Sequence, residues 1–263
     1  MSFTIDLSDK VVIVTGVSSG IGASIANMYT RANASVAGCA LEDGNHEGVK
    51  SFVETARKES GKEPFYMQCD LTNDKAIIDF VEAVYKHFGR IDILASNAGA
   101  NFFKGVYECS EEDWQKNLDL NFRSHWNLAK ATRKYLEMHG TGIIIITSSS
   151  HAYNTLPGSF PYHIAKAALK AMVQSITIDW GPKIRCVGIA PGFIETRLAT
   201  TWFDQFPDPE KERQRIVDAY PLKRLGKPDE IGGWYVFLSS EYAAFTGGQT
   251  YLIDGGRSAI MMD

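Results

Sequence analysis

Short apolar runs alternate with amphipathic stretches along most of the chain. The runs lie at 10–15 (KVVIVT), 34–40 (ASVAGCA), 65–70 (FYMQCD), 91–95 (IDILA), 143–146 (IIII), 184–189 (IRCVGI) and 250–253 (TYLI). Runs this short, rich in β-branched residues, predict strands buried on both faces. Between them, 21–31, 47–58 and 73–88 have helical spacing, and a longer helix is predicted over 110–139. That helix opens on Ser110-Glu-Glu-Asp, which resembles a capping box. Inside it lies Asn121, a poor helix former, which marks a kink, a buried hydrogen bond or a water site, or else faces solvent. Another helix is predicted from Tyr162 onward. Strands alternating with helices predict an α/β fold with a parallel sheet and helices on both faces.

The 263 residues show no repeat, low-complexity tract or linker, so one domain over 1–263 is expected. Within it, 195–225 lacks strong periodicity yet carries Trp202, Phe203, Phe206 and Pro207, which points to a lid or substrate wall, or to a satellite hydrophobic cluster. The net charge of −4 argues against a broad nucleic-acid or anionic-membrane surface. No apolar run approaches the ~20 residues of a membrane span, and the N-terminus lacks the pattern of a secretory signal. Cys39, Cys69, Cys109 and Cys186 are far apart, with no CxxC and no Cys/His cluster, so no metal site is expected. Buried thiols in a reducing, cytoplasmic compartment are the simplest expectation.

Two stretches carry chemistry. After the first strand comes TGVSSGIG (Gly16, Ser18, Ser19, Gly20, Ile21, Gly22), then a helix. Strand, glycine turn and helix N-terminus together can receive a pyrophosphate, though a packing turn without ligand has the same look. An acid for the adenosine ribose is expected near Ala40, which is not acidic; Glu42 and Asp43 follow. Those two acids, and the absence of Lys or Arg at Val17, Ser18, Ala40 and Leu41, favour NAD over NADP. Asp70-Leu71 can contact an adenine, or Asp70 can cap the next helix. The small residues Asn97-Ala98-Gly99 let a strand end sit against a cofactor. The second stretch is 143–170, in which an isoleucine run ends in Thr147, Ser148, Ser149 and Ser150, and Tyr162 precedes Lys166 by four residues. On a helix those two share a face. A nearby cation favours the phenolate, making Tyr162 an acid/base for an alcohol/carbonyl oxygen; alone, the pair is an ordinary surface pattern.

With these motifs in order, the chain resembles the short-chain dehydrogenase/reductase family from about Val11 to Gly256. TGVSSGIG, SNAG at 96–99, Asn121, Ser149 thirteen residues before Tyr162, YHIAK, PGFIET and TGGQTYLIDGG match the family's run of motifs. Ser96 stands where the family has Asn, and Ala40 departs from its acidic position. The resemblance implies a Rossmann-type, doubly wound, seven-stranded parallel sheet in a single domain. It implies hydride exchange between NAD or NADP and a small alcohol or ketone. Tyr162 is then the acid/base, Lys166 its partner and a ribose contact, Ser149 the holder of the substrate oxygen, and Asn121 the support of a water path. Pro191, Gly192, Ile194 and Thr196 would line the nicotinamide side. The resemblance also implies a homotetramer, or a homodimer, packed through the helices of Asn121 and Tyr162. For substrate, Ser149, His151, Tyr153, Asn101 and Asn154 offer a polar pocket for a polyol, sugar or hydroxy-ketone. Phe102, Phe103, Phe193, Trp202 and Phe203 offer an apolar one. His151 either faces substrate or bonds backbone. A 3-oxoacyl thioester reductase is the alternative, with Arg123, Lys130, Arg133 and Lys134 as a docking patch for an acidic carrier. A cofactor-sensing regulator without chemistry is the alternative of another class.

Overall fold

The computed structural model describes residues 4–260; Met1–Phe3, part of the stretch read for a leader, lie outside them. Successive residues of β1 (Val11–Thr15) point to opposite faces, and all five are buried. Val11 and Ile13 enter one core, Val12 and Val14 the other. That two-sided burial is why the strand sequences run apolar without alternation.

In chain order the elements are α1 (Gly20–Arg31), β2 (Ser35–Ala40), α2 (Glu47–Ser60), β3 (Phe65–Gln68), α3 (Asp74–Phe88), β4 (Ile93–Ser96) and the short β5 (Phe103–Lys104). Then come α4 (Glu111–Leu118), α5 (Ser124–Leu136), β6 (Gly142–Thr147), the short β7 (Phe160–Pro161), α6 (Tyr162–Trp180) and β8 (Ile184–Pro191). The chain closes with α7 (Arg197–Phe203), α8 (Pro209–Asp218), α9 (Pro228–Ser239) and β9 (Thr250–Ile253). Seven strands form one sheet in the order β3-β2-β1-β4-β6-β8-β9, every neighbouring pair parallel. β5 and β7 make a separate antiparallel ribbon. Ile77 of α3, Leu128 of α5 and Leu169 of α6 fill the core on one face. Ile25 and Tyr29 of α1, Phe52 of α2 and Tyr235 of α9 fill the other. The fold is thus the doubly wound Rossmann-type domain. The order reverses at β1, between β2 and β4, and this opens a crevice at the strands' C-terminal ends.

Two predicted elements end differently. The strand expected over 91–95 begins at Ile93, because Asp92 uses its carboxylate to accept from the Val11 N–H (2.8 Å) and from Arg90. The helix expected over 110–139 is broken by a π turn over Asp119–Arg123. There the Ser124 N–H bonds back to the Asp119 carbonyl, and the Ser124 hydroxyl takes the Leu120 carbonyl at 2.5 Å. A π turn of this kind rotates the side chains around Asn121 relative to a regular helix. Its start is as expected: Ser110 and Asp113 form a reciprocal capping box.

Candidate active site

Two glycines with positive φ shape the turn after β1, Gly16 at 80° and Gly20 at 58°. The Gly16 and Val17 N–H groups both bond the Cys39 carbonyl, which fixes the loop to the end of β2. Gly22 has no room for a side chain: a Cβ there would lie 2.0 Å from the Gly16 carbonyl oxygen. Ser19 is the N-cap of α1 but makes no side-chain capping bond, and the first turn of α1 carries no acid. The helix N-terminus, with Ser18, Ser19, Gly20 and Ile21 around it, is therefore suited to an anion. A pyrophosphate-bearing cofactor fits this cradle.

The other cofactor residues predicted from sequence fall around the same crevice, with different work to do. Asn97 braces strand ends: its Nδ2 donates to the Thr15 carbonyl (3.1 Å), and its Oδ1 accepts from Thr147 Oγ1 (3.0 Å). The Asn97 and Ala98 N–H groups both donate to Thr15 Oγ1. Asp70 does not cap α3, whose N-cap is Asn73; its Oδ1 accepts instead from the Thr72 N–H and hydroxyl. The Leu71 side chain is buried in the core. Pro191 ends β8, and Gly192 passes so close to Asp254 that a Cβ would meet it at 2.9 Å. Ile194 is buried, and Thr196 caps α7 by accepting from the Ala199 N–H. Thr196 Cγ2 lies 3.4 Å from where a Gly20 Cβ would be, so the loop after β8 reaches the glycine turn.

The catalytic candidates converge on the α6 side. β6 delivers Ser149 just past its C-terminal end, buried, with Oγ accepting from the His151 N–H (3.2 Å). Tyr162 and Lys166 lie on the first turns of α6, with Lys166 Nζ 5.7 Å from the Tyr162 ring centroid. Lys166 is 3% exposed and donates to the Thr147 carbonyl (3.1 Å). Asn121 is fully buried; its Nδ2 donates to the Ala100 carbonyl and to Asn117 Oδ1, and its Oδ1 accepts from the Ala100 N–H. Gly99 ties these together, since a Cβ there would meet Asn121 Oδ1 at 2.6 Å and Lys166 Nζ at 3.3 Å. Burial pushes the Tyr162 phenol up to about 12, and a hydrogen bond with Ser149 pulls the other way. Burial also pulls Lys166 down to about 7. The expected depression of Tyr162 by its lysine is thus not seen: desolvation disfavours both charged forms and sets both directions.

On the substrate side, His151 Nδ1 shares a hydrogen bond with the Thr155 side chain, Oγ1 at 3.0 Å, rather than with backbone. Its ring and that of Phe103 both lie against Tyr162, at centroid distances of 5.9 and 5.3 Å. Asn101 is exposed. Phe193 and Trp202 meet edge to face and pack on a satellite cluster with Phe203, Ile216, Val217, Tyr220 and Leu225. Phe203 is buried there, as in the satellite-cluster alternative for 195–225 rather than as a pocket wall. Sequence reasoning missed Thr15, Thr147 and Asn117 as organisers of the site; each acts through a long-range bond that no local motif announces.

A cradle for a dinucleotide opposite a buried Ser and Lys and a half-buried Tyr defines a nicotinamide-dependent class of enzyme. A family model described as enoyl-(acyl carrier protein) reductase matches residues 16–258. Dehydrogenase/reductase SDR family member 4 of Homo sapiens is 32% identical over 253 residues, covering 95% of this chain and 88% of that protein. Sorbose reductase of Schizosaccharomyces pombe is 30% identical over 260 residues, covering 97% and 98%. The ligand-free aldohexose dehydrogenase of Thermoplasma acidophilum superposes with a TM-score of 0.87 at 26% identity, covering 96% of this chain and 95% of that one. The chain belongs to the short-chain dehydrogenase/reductase family. It is an NAD(P)-dependent oxidoreductase acting on alcohol/carbonyl groups. Among the described residues no helix is long and apolar enough to cross a membrane, and no His/Cys/Asp/Glu group has the makings of a metal site.

Proposed function

We propose that the protein exchanges hydride with a sugar, polyol or hydroxy-ketone, using NAD in preference to NADP. The observation that carries the assignment is the run of neighbours from Ser149 to Tyr162, from Tyr162 to Lys166, and from Lys166 to Asn121 at Gly99. A bound nicotinamide would accept or supply the hydride. Ser149 holds the substrate oxygen and Tyr162 takes or returns its proton. Lys166 holds its charge near the Tyr162 ring and reaches the cofactor ribose, while Asn121 keeps the π turn and the Ala100 backbone in register for a water path. Gly16, Ser18, Ser19, Gly20, Ile21, Gly22, Asp70, Leu71, Asn97, Ala98, Gly99, Pro191, Gly192, Ile194 and Thr196 contact the cofactor.

NAD is favoured by Glu42 and Asp43 after β2, where no Lys or Arg is available for a 2′-phosphate. The polar substrate class is favoured by His151 beside Tyr162, with Asn101, Phe193 and Trp202 around the entrance and 195–225 as its wall; the sugar-handling relatives point the same way. The acyl-carrier alternative is less favoured, because the cations of its docking patch have partners of their own. Arg123 is paired with Asp74 and Asp119, Arg133 with Glu137, Lys134 with Glu82, and Lys130 lies over Trp126. A homotetramer fits the apolar surface left on α5 and α6 by Trp126 (47% exposed) and Ile178 (78% exposed). A cytoplasmic location fits the four free thiols.

The test is turnover of sugars, polyols, cyclic alcohols and 3-oxoacyl esters with NAD and NADP, beside the Tyr162→Phe variant. NAD-linked oxidation of polyols or sugars, lost by about 10²–10⁴-fold in the variant with cofactor binding retained, is expected. NADPH-linked reduction of acyl esters alone would refute both the cofactor and the substrate assignment.

A further inference from the structure

On the helix after the π turn lies a buried histidine with no part in the chemistry so far. His125 on α5 is 1% exposed. Its Nδ1 shares a 2.7 Å hydrogen bond with Ser96 Oγ at the end of β4, and its Nε2 has no partner among the described residues. A buried polar atom of this kind calls for a partner. The neighbourhood supplies a candidate. His125 follows directly on the π turn that holds Asn121, and Asn121 lies beside Lys166 at Gly99. Ser96, which orients His125, stands in register with Ile146 of β6, and the next residue, Thr147, anchors Lys166 Nζ. The Thr147 carbonyl occupies one of the three ammonium donors.

The ionisable groups around the ring are few. Lys166, from α6, is the charge that acts on it, and with burial it keeps the imidazole neutral. Tyr162 is on the same helix. From α3, Asp74 meets α5 at the surface, bonding Arg123 and Asn127. β4 offers Ser96, and β6 offers Ile144 and Ile146 to this core. Beside a cation the favoured tautomer places the proton on Nδ1, donating to Ser96, and leaves the Nε2 lone pair as acceptor.

We propose that His125, oriented by Ser96, is a positioning residue for Lys166: its Nε2 accepts from one water that in turn accepts from the ammonium, and so fixes that charge under Tyr162. This rests on the assignment of Lys166 as the partner of Tyr162. It also accounts for the departure of the SNAG motif at Ser96, since a hydroxyl there leaves room for the ring it holds.

The experiment is the pH dependence of kcat/KM for alcohol oxidation in three variants, with cofactor binding and Tm measured alongside. His125→Gln retains a polar atom near the Nε2 position, His125→Asn retains one near Nδ1, and His125→Phe retains neither. The His125→Gln profile should overlay the parent. His125→Asn and His125→Phe should move the apparent pKa of the active base up by about one unit, a tenfold loss on the acidic limb, with cofactor binding unchanged. Rescue by Asn but not Gln would reduce His125 to a structural partner of Ser96. Parent profiles in all three variants, or a shift in all three, would likewise overturn the proposal. If His125→Phe does not fold, Ser96→Ala replaces it and should give the same upward shift, a parent profile counting against the idea. Tyr162→Phe separates the two layers: turnover surviving in it sinks the Tyr162 assignment, whereas its loss with a parent profile in His125→Asn sinks the present proposal alone.

Discussion

Replacing Gly48 by Ala should uncouple the cofactor loop from the helix that follows β2. Gly48 lies in the first turn of α2, and its Cα faces the Ser18 carbonyl so closely that a Cβ would sit 1.8 Å from that oxygen and 2.8 Å from its carbon. Loop and helix must part by about 1.2 Å to restore even a 3.0 Å contact. The clash is with backbone, so no side chain can swing away. α2 cannot yield freely, because Val49, Phe52 and Ala56 are buried beneath it. The glycine turn is tied at its other end by Gly16 and Val17 to the Cys39 carbonyl, so the strain falls on Val17, Ser18 and Ser19. Overpacking of this kind costs about 1–3 kcal/mol, offset by up to about 1 kcal/mol of helix propensity gained by Ala. The larger effect is positional. Displacing a binding backbone by about 1 Å can cost on the order of 100-fold. Titration of the protein's tryptophan fluorescence with NAD should show a Kd raised at least tenfold. The KM for substrate at saturating cofactor should change less than twofold, and Tm should fall by only a few degrees. A variant that binds NAD like the parent would refute the idea that contact between Gly48 and Ser18 sets the loop.

Two further perturbations test the energetics. Lys166 is held at about 7 in the fold, below its ordinary value of 10.5, so between those pH values the unfolded chain carries one more proton and stability rises with pH. Urea unfolding at pH 7 and pH 9 should show a gain of about 2 kcal/mol in the parent that Lys166→Met lacks; parallel pH profiles would contradict the burial-driven shift. Asp92→Ala leaves the buried Val11 N–H without its acceptor and Arg90 without its partner. A loss of about 2 kcal/mol is expected, or about 4–8 °C in calorimetric Tm, and an unchanged Tm would show that water replaces the carboxylate at no cost.

Much of the fold was legible because burial on two faces leaves a direct trace. Val11 to Val14 of β1 feed alternate cores, so four successive positions are apolar, and the strand can be read without knowing its neighbours. Gly16, with its positive φ, and the Ser110–Asp113 box are local demands of a turn and a cap, which the residue types themselves reveal. The i, i+4 spacing of Tyr162 and Lys166 is likewise a property of one helix. The course of 195–225 was not legible in this way, because α7 and α8 bury only a small cluster of their own and show weak periodicity.

The amino-acid sequence by itself determined the order of the seven sheet strands, the glycine turn, and the placing of Tyr162 and Lys166 one turn apart on a helix, because each follows from periodicity or spacing over a short span. Only the tertiary structure decided the balance of charge in the site. Whether Lys166 can depress Tyr162 depends on how deeply both are buried, and burial is set by α5, β4 and β6 arriving from distant parts of the chain. It also decided the partners of the hidden polar groups, Thr15 with Asn97, Asn117 with the Pro161 carbonyl and Ser96 with His125. A hydrogen bond between residues far apart in sequence exists only once the sheet has brought their strands and helices together, and no local pattern encodes that meeting.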